Sequence, residues 1–329
     1  MNETGAAGGV SKAAAAGVSI AYNATLIALK VAAAIVTGSV AILSEALNST
    51  IDLVASMIAF VAVRRADEPA DVEHPYGHEK VENVAASIEG VLIIIGAAFI
   101  IIESIGRLVD GNTEVQSLGF GIAVIAFSTL SASAVSHFLR RQARKHDSPA
   151  LQGDAAHLGA DAFTSAGVLI ALVLVQLTGA EQLDAAVAIA FSGFIIFTGL
   201  NIIRRAAGIL VDEAPPSEEM DRIEAAIARA RGDEPEVVGY HKLRARTTGR
   251  RRYIELHVQF RGGTSLERAH ELAHELRNAI EADLGDAEVL IHVEPESSRH
   301  DPAESPQAFR AGKRRFTAAA IPTAPTTML

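Results

Sequence analysis

The chain has 329 residues and not one cysteine. That absence excludes disulfides and thiolate metal sites. It also argues against Cu(I), whose selective binding relies on sulfur donors. Basic residues are outnumbered, giving a formal net charge of −10, which argues against nucleic acid as a partner. The N-terminus lacks a short basic-then-apolar segment with a cleavage site, so the first apolar span is expected to be retained. Lysine and arginine are missing from three short stretches, 37–39, 110–116 and 178–182, and Arg107 alone lies near them.

What is present is apolar length. Hydrophobic residues make up 49% of the chain and mean hydropathy is +0.25. The length could hold two soluble domains, but the apolar residues concentrate in the first two thirds. Six spans are readable, roughly 13–36, 40–63, 84–105, 118–139, 155–177 and 183–203. Each has about the 20 residues that cross a bilayer, and all are rich in the Ala, Gly and Ser that let helices approach closely in lipid. Arg64, Arg65 and Lys80 follow span two, Arg140, Arg141, Arg144 and Lys145 follow span four, and Arg204 and Arg205 follow span six. The positive-inside rule then places both termini in the cytoplasm.

The expected organisation is a disordered arm at 1–12, a six-span bundle at 13–212, a cytoplasmic domain at 213–296 and a disordered tail at 297–329. Pro215-Pro216 breaks the chain, and Ser217 is read as the N-cap of a helix with acidic residues in its first turn. Strand-like runs follow at 237–246 and 253–260, separated by a turn at Thr248-Gly249. A second amphipathic helix covers 265–284, with Leu266, Ala269, Leu272, Leu276 and Ile280 on one stripe, and a third strand covers 287–293. The order αββαβ describes a small α+β domain. The tail carries Arg310, Lys313, Arg314 and Arg315, which could touch anionic lipid but read more simply as solvated.

Four constellations carry chemistry. Asn48 and Asp52 in span two, and His157 and Asp161 in span five, are spaced i,i+4, so each pair faces one way along a helix. Facing helices would supply three oxygens and one imidazole, the four donors a tetrahedral divalent ion takes. The competing reading is interhelical hydrogen bonding. Two carboxylates would then need cations, and the spans offer few beyond Lys30, which could pair with Glu45. A charge at mid-membrane depth costs at least about 2.5–3.5 kcal/mol, which makes buried carboxylates functional candidates.

A second set, Asp71, His74 and His78, lies in a loop bent by Pro75 and Gly77; its donors suit a borderline divalent ion, or the histidines are merely solvated. A third set is His241, His257 and His292 on the strands, His270 on the second helix, and Glu294, with scattered surface histidines as the alternative. Last, His270-Glu271-Leu272-Ala273-His274 matches the HExxH pattern of zinc proteases. A domain of this size offers little cleft around an open coordination position, and a helix rich in Glu, Ala and His yields this string by chance.

With these residues in view, the chain resembles the cation diffusion facilitators, a family of divalent-metal/proton antiporters that includes bacterial zinc exporters. The resemblance runs from about Ala13 to Glu294. It rests on the six-span plan, the paired ligands, the HPYGHEK loop from His74 to Lys80, Asp212 after span six and the His-rich domain. It implies a transport site at Asn48, Asp52, His157 and Asp161, and a loop metal site at Asp71, His74 and His78. It further implies a cytoplasmic binuclear site at His241, His257, His270, His292 and Glu294, and a dimer-interlocking salt bridge between Lys80 and Asp212.

Two positions depart from the family pattern. Many zinc exporters carry Asp or His where this chain has Asn48, and the last cytoplasmic ligand is often Asp where it has Glu294. The expected protein is a homodimer in the bacterial inner (plasma) membrane. It exports Zn²⁺, with Mn²⁺ or Fe²⁺ as alternatives, in exchange for H⁺, and is not an enzyme. No prosthetic group is expected; divalent metal is substrate and regulator, and the lipid bilayer is the surrounding partner. The alternative is a membrane-anchored metal sensor or scaffold that does not transport.

Overall fold

The fold is that of a computed structural model. It describes residues 10–37, 40–110, 118–178, 182–249 and 251–297, excepting the side chains at 33, 34, 37, 40–48, 107, 110, 118–125, 172, 175, 176 and 184. Most of the expected N-terminal arm, the tail with its basic residues and the tips of the three connections that lack Lys and Arg lie outside the described residues. So do the side chains of Glu45 and Asn48. The chain divides into two compact units, one ending at Glu213 and the next beginning at Ala214.

The first unit is six long helices: α1 (Lys12–Thr37), α2 (Val40–Ala66), α3 (Val81–Asp110), α4 (Leu118–His146), α5 (Pro149–Thr178) and α6 (Gln182–Leu210). At 1.5 Å per residue each is about 40 Å long, enough for a bilayer and part of its headgroup layer. Several run past the apolar spans: α2 continues through Arg64 and Arg65, and α4 through Arg144 and Lys145. Long basic side chains near a helix C-terminus suit the negative end of its dipole, so helix outlasts hydrophobicity there.

Among the described residues, three helices are long and apolar enough to cross a membrane: Lys12–Ala32, Val81–Gly106 and Ala185–Leu210. Helix α5 turns its polar residues Asp154 and His157 inward. The bundle is polar and small inside, large and apolar outside. Ser19, Ser56, Asp154, Ala59 and Ala155 are buried, while Phe99, Ile102, Leu130 and Phe197 are exposed. A surface of that kind belongs in lipid.

Glycine permits a close crossing. A Cβ on Gly90 would lie 3.1 Å from the carbonyl oxygen of Gly199, and one on Gly199 would lie 3.0 Å from that of Gly90. The missing side chains let α3 and α6 pack backbone to backbone.

The second unit is α7 (Ser217–Arg231), β1 (Val237–Thr248), β2 (Arg251–Phe260), α8 (Leu266–Leu284) and β3 (Ala287–Pro295), with sheet order β1-β2-β3. Strand β3 pairs parallel to β2, placing His257 beside His292 and Gln259 beside Glu294. Residues Ile254, Leu256, Val258 and Phe260 alternate onto the core face, where they meet Ile223 and Ile227 of α7 and Leu272, Leu276 and Ile280 of α8.

On β1, Tyr240, Leu243 and Ala245 pack against that core, and Lys242 between them has φ 50°. A positive-φ residue absorbs one step of the alternation, as in a bulge. That step sends His241 to the face opposite the helices.

One expected cap differs. Ser265 does cap α8, accepting from the backbone N–H of Arg268. Ser217, however, is the first helical residue of α7: Pro216 occupies the cap position, and its carbonyl accepts from Glu219 and Met220. The fixed φ of proline pre-sets the helical entry, and the acidic residues Glu218 and Glu219 stabilise the turn electrostatically.

Candidate functional site

Helices α2 and α5 pack against each other and bring Asp52, His157 and Asp161 together. Ligand atoms from all three lie within 4.8 Å of one another. Asp52 Oδ1 is 3.1 Å from His157 Nε2, close to the edge of about 3.3 Å for a tetrahedron around zinc with bonds near 2.0–2.1 Å. His157 is only 7% exposed. Asn23 of α1 donates to the backbone carbonyl of Asp52 at 3.4 Å, bracing that turn of α2. Lys30, the cation considered for Glu45, donates to Ser49 Oγ at 2.9 Å. Asn48 lies on α2 one turn before Asp52, with its side chain outside the described set.

The loop between α2 and α3 folds tightly around Asp71. Its Oδ1 accepts from the backbone N–H of Glu73 and His74, at 2.9 and 2.6 Å. The backbone N–H of His74 first, and then its ring, hold the Asp71 carboxyl below its ordinary pKa. His74 Nδ1 lies 3.2 Å from Oδ1 and His78 Nε2 3.3 Å from Oδ2. Gly77, at φ 85°, returns its N–H to the carbonyl of His74 at 2.9 Å, a turn that a side chain would strain. Asp71, His74 and His78 thus offer three donors within 4.8 Å. Just after the loop, Lys80 Nζ meets Asp212 Oδ1 at 2.8 Å, joining the start of α3 to the end of α6.

In the second unit the helix-free face of the sheet gathers His241, His257 and Glu294 within 4.8 Å. Glu294 Oε1 is 2.5 Å from His257 Nδ1 and 3.6 Å from His292 Nε2, while Oε2 is 3.1 Å from His241 Nε2. The parallel register explains this: His257 and His292 are direct partners, and Glu294 follows two residues on.

His270 does not join them within one chain. It lies on α8, whose buried residues cover the other face of the sheet. Its ring stands 4.3 Å from that of His274. Glu271, the second residue of the HExxH string, reaches Arg268 at 3.6 Å on the exposed surface.

Sequence reasoning missed two intramembrane acids. Glu89 on α3 and Asp154 on α5 are each 0% exposed. Neither belongs to an i,i+4 ligand pair, so periodic spacing does not flag them. The signal that could have found Glu89 was a carboxyl inside an apolar span; Asp154 stands one residue before the fifth span as read from the sequence.

Known proteins agree with this architecture. The cation efflux transmembrane domain matches residues 16–211, and the cation efflux protein cytoplasmic domain matches residues 215–296. An uncharacterized transporter of Synechocystis is 33% identical over 267 residues, 81% of this chain and 85% of that protein. The cation-efflux pump FieF of Klebsiella pneumoniae is 32% identical over 288 residues, 88% of this chain and 93% of the pump. The metal-bound C-terminal domain of the CzcD transporter from Thermotoga maritima is 30% identical and covers 26% of this chain and all of that structure, with a TM-score of 0.24. With both domains matched along most of its length, the chain belongs to the cation diffusion facilitator family of integral-membrane cation-efflux proteins.

Proposed function

We propose that the chain exports Zn²⁺ from the cytoplasm in exchange for H⁺, working as a homodimer in the bacterial inner membrane with both termini cytoplasmic. The observation that carries this reading is the Asp52, His157 and Asp161 cluster inside the helical bundle. Asn48, one turn along α2, is the fourth donor in this reading. Two carboxylates balance one divalent cation, and imidazole favours zinc over harder ions. Metal requires an unprotonated imidazole, so metal and proton compete for His157, and each displaces the other on alternate sides of the membrane.

The remaining groups regulate. Asp71, His74 and His78 bind metal in the loop. His241, His257, His292 and Glu294 bind it on the sheet face, and His270 reaches that kind of site from a second copy, because within one chain the sheet lies between them. Lys80 with Asp212 locks α3 to α6 at the end where the bundle couples to its partner. In proteoliposomes, Asp52→Ala or Asp161→Ala is expected to abolish zinc uptake driven by a pH gradient. Wild-type flux in either variant would sink the proposal.

A further inference from the structure

A polar layer lies about one helical turn, roughly 5 Å, from the three-donor cluster. On α5, Asp154 precedes His157 by three residues, and on α2, Ser56 follows Asp52 by four. Asp154 Oδ1 accepts from Ser19 and Ser56, both at 2.9 Å, and Asn23 donates to Ser56 at 2.8 Å. Glu89 of α3 reaches this layer because residue 153 is glycine. A Cβ there would lie 3.3 Å from the Ala86 Cα and 3.5 Å from the Glu89 carboxyl carbon. The carboxyl of Glu89 therefore rests on the α5 backbone next to Asp154.

Four helices thus converge oxygen donors on one buried place, and its coordinating capacity is unspent. Both carboxyl oxygens of Glu89, and Oδ2 of Asp154, are buried without a hydrogen-bond partner among the described residues. Buried polar atoms are ordinarily satisfied, and orphans of this kind call for a ligand or a functional reason. A carboxyl inside a membrane span is costly in itself, and here two share one layer.

We propose that Glu89 and Asp154 form a second cation position, an all-oxygen station that the divalent ion occupies before it moves one turn on to Asp52, His157 and Asp161. The proposal rests on the transport reading for its direction of travel. Its donors are carboxylates and hydroxyls with no imidazole at the front, a set that accepts Mn²⁺ and Fe²⁺ as readily as Zn²⁺. Selection for zinc then falls to the next step, where His157 enters. Two sites in series also let an ion bind firmly enough to enter and weakly enough to leave.

Mn²⁺ is the probe, read by electron paramagnetic resonance on the full-length protein in micelles. The background variant removes the other sites through Asp52→Asn, Asp161→Asn, His78→Ala and His257→Ala. It is expected to retain one Mn²⁺ whose affinity falls at least tenfold when Glu89→Gln or Asp154→Asn is added; unchanged binding overturns the proposal. In the otherwise wild-type chain, Glu89→Gln should raise KM for Mn²⁺ flux about tenfold with kcat within twofold, and Glu89→Asp should restore it. If Glu89→Gln keeps Mn²⁺ binding and KM but changes the protons released per metal bound, the pair carries protons and the cation station is overturned. Loss of flux in Asp52→Ala with wild-type behaviour in Glu89→Gln would overturn the station alone and leave the transport reading standing.

Discussion

Asp52 and Asp161 bring two negative charges to the intramembrane cluster, and His157 brings a neutral nitrogen when unprotonated; in the transport reading Asn48 adds a neutral oxygen. In that reading the donor set neutralises a divalent ion with no charge to spare. Asn48→Asp adds a third carboxylate, the donor that many zinc exporters carry at this position. The ratio of Mn²⁺ to Zn²⁺ flux should fall by about tenfold, roughly 1.4 kcal/mol. A metal panel in liposomes under a fixed pH gradient reads it, and an unchanged ratio would place selectivity elsewhere. In the loop, Asp71 has its pKa lowered by the His74 backbone N–H. A lowered native value means its contribution is present above the ordinary carboxylate pKa of about 3.9 and is lost only as pH falls through the lower native value. The amide resonances of Glu73 and His74 should therefore hold their turn-like shifts on acidification to about pH 4, still above that ordinary value. Melting of the turn above that pH would contradict the assignment.

Between elements, one tight constraint is the backbone contact of α3 with α6 at Gly90 and Gly199. Gly199→Val would drive a side chain into the Gly90 carbonyl and the Ile94 side chain, which already stand 3.0 and 2.8 Å from a bare Cβ. Overpacking of this kind costs about 1–3 kcal/mol, and a lower thermal midpoint in detergent should report it. Gly96, with nothing within 4 Å of an added Cβ, is the control: Gly96→Ala should leave the midpoint unchanged or raise it. The sequence made the helices and strands legible because both have a period. The same periodicity singled out the polar pairs on α2 and α5, since four residues return to one helix face. It could not reveal Glu89 or Asp154, which enter a common layer only through the close approach permitted by Gly153. Nor could it reveal that His241 shares a face with His257, because Lys242 shifts the alternation by one step. The helix and strand positions of the cytoplasmic histidines were readable. Their separation into a sheet-face group and an α8 pair depends on which face the helices cover, a tertiary fact.

For the whole molecule, the central question is whether the cytoplasmic unit senses the metal that the bundle carries. Its sheet-face donors are reachable: the side chains of His241, His257 and His292 are 23%, 28% and 64% exposed, around a Glu294 side chain that is 9% exposed. A metal that binds the folded dimer and not the unfolded chain stabilises it by about 2.7 kcal/mol at a hundredfold excess over Kd. Zn²⁺ should therefore raise the thermal midpoint of the full-length protein and sharpen its dimer peak in size-exclusion chromatography. Paired His241→Ala and His257→Ala substitutions should remove most of that response while leaving part of the pH-driven flux, because Asp52, His157 and Asp161 stay intact. His270→Ala should weaken the response only if a second copy supplies that imidazole, so its effect must disappear when dimer formation is prevented by dilution. A zinc-dependent shift of wild-type size in the paired variant would show that the sheet face is not the sensor. Complete loss of flux in that variant would mean that the cytoplasmic site is obligatory for transport rather than regulatory.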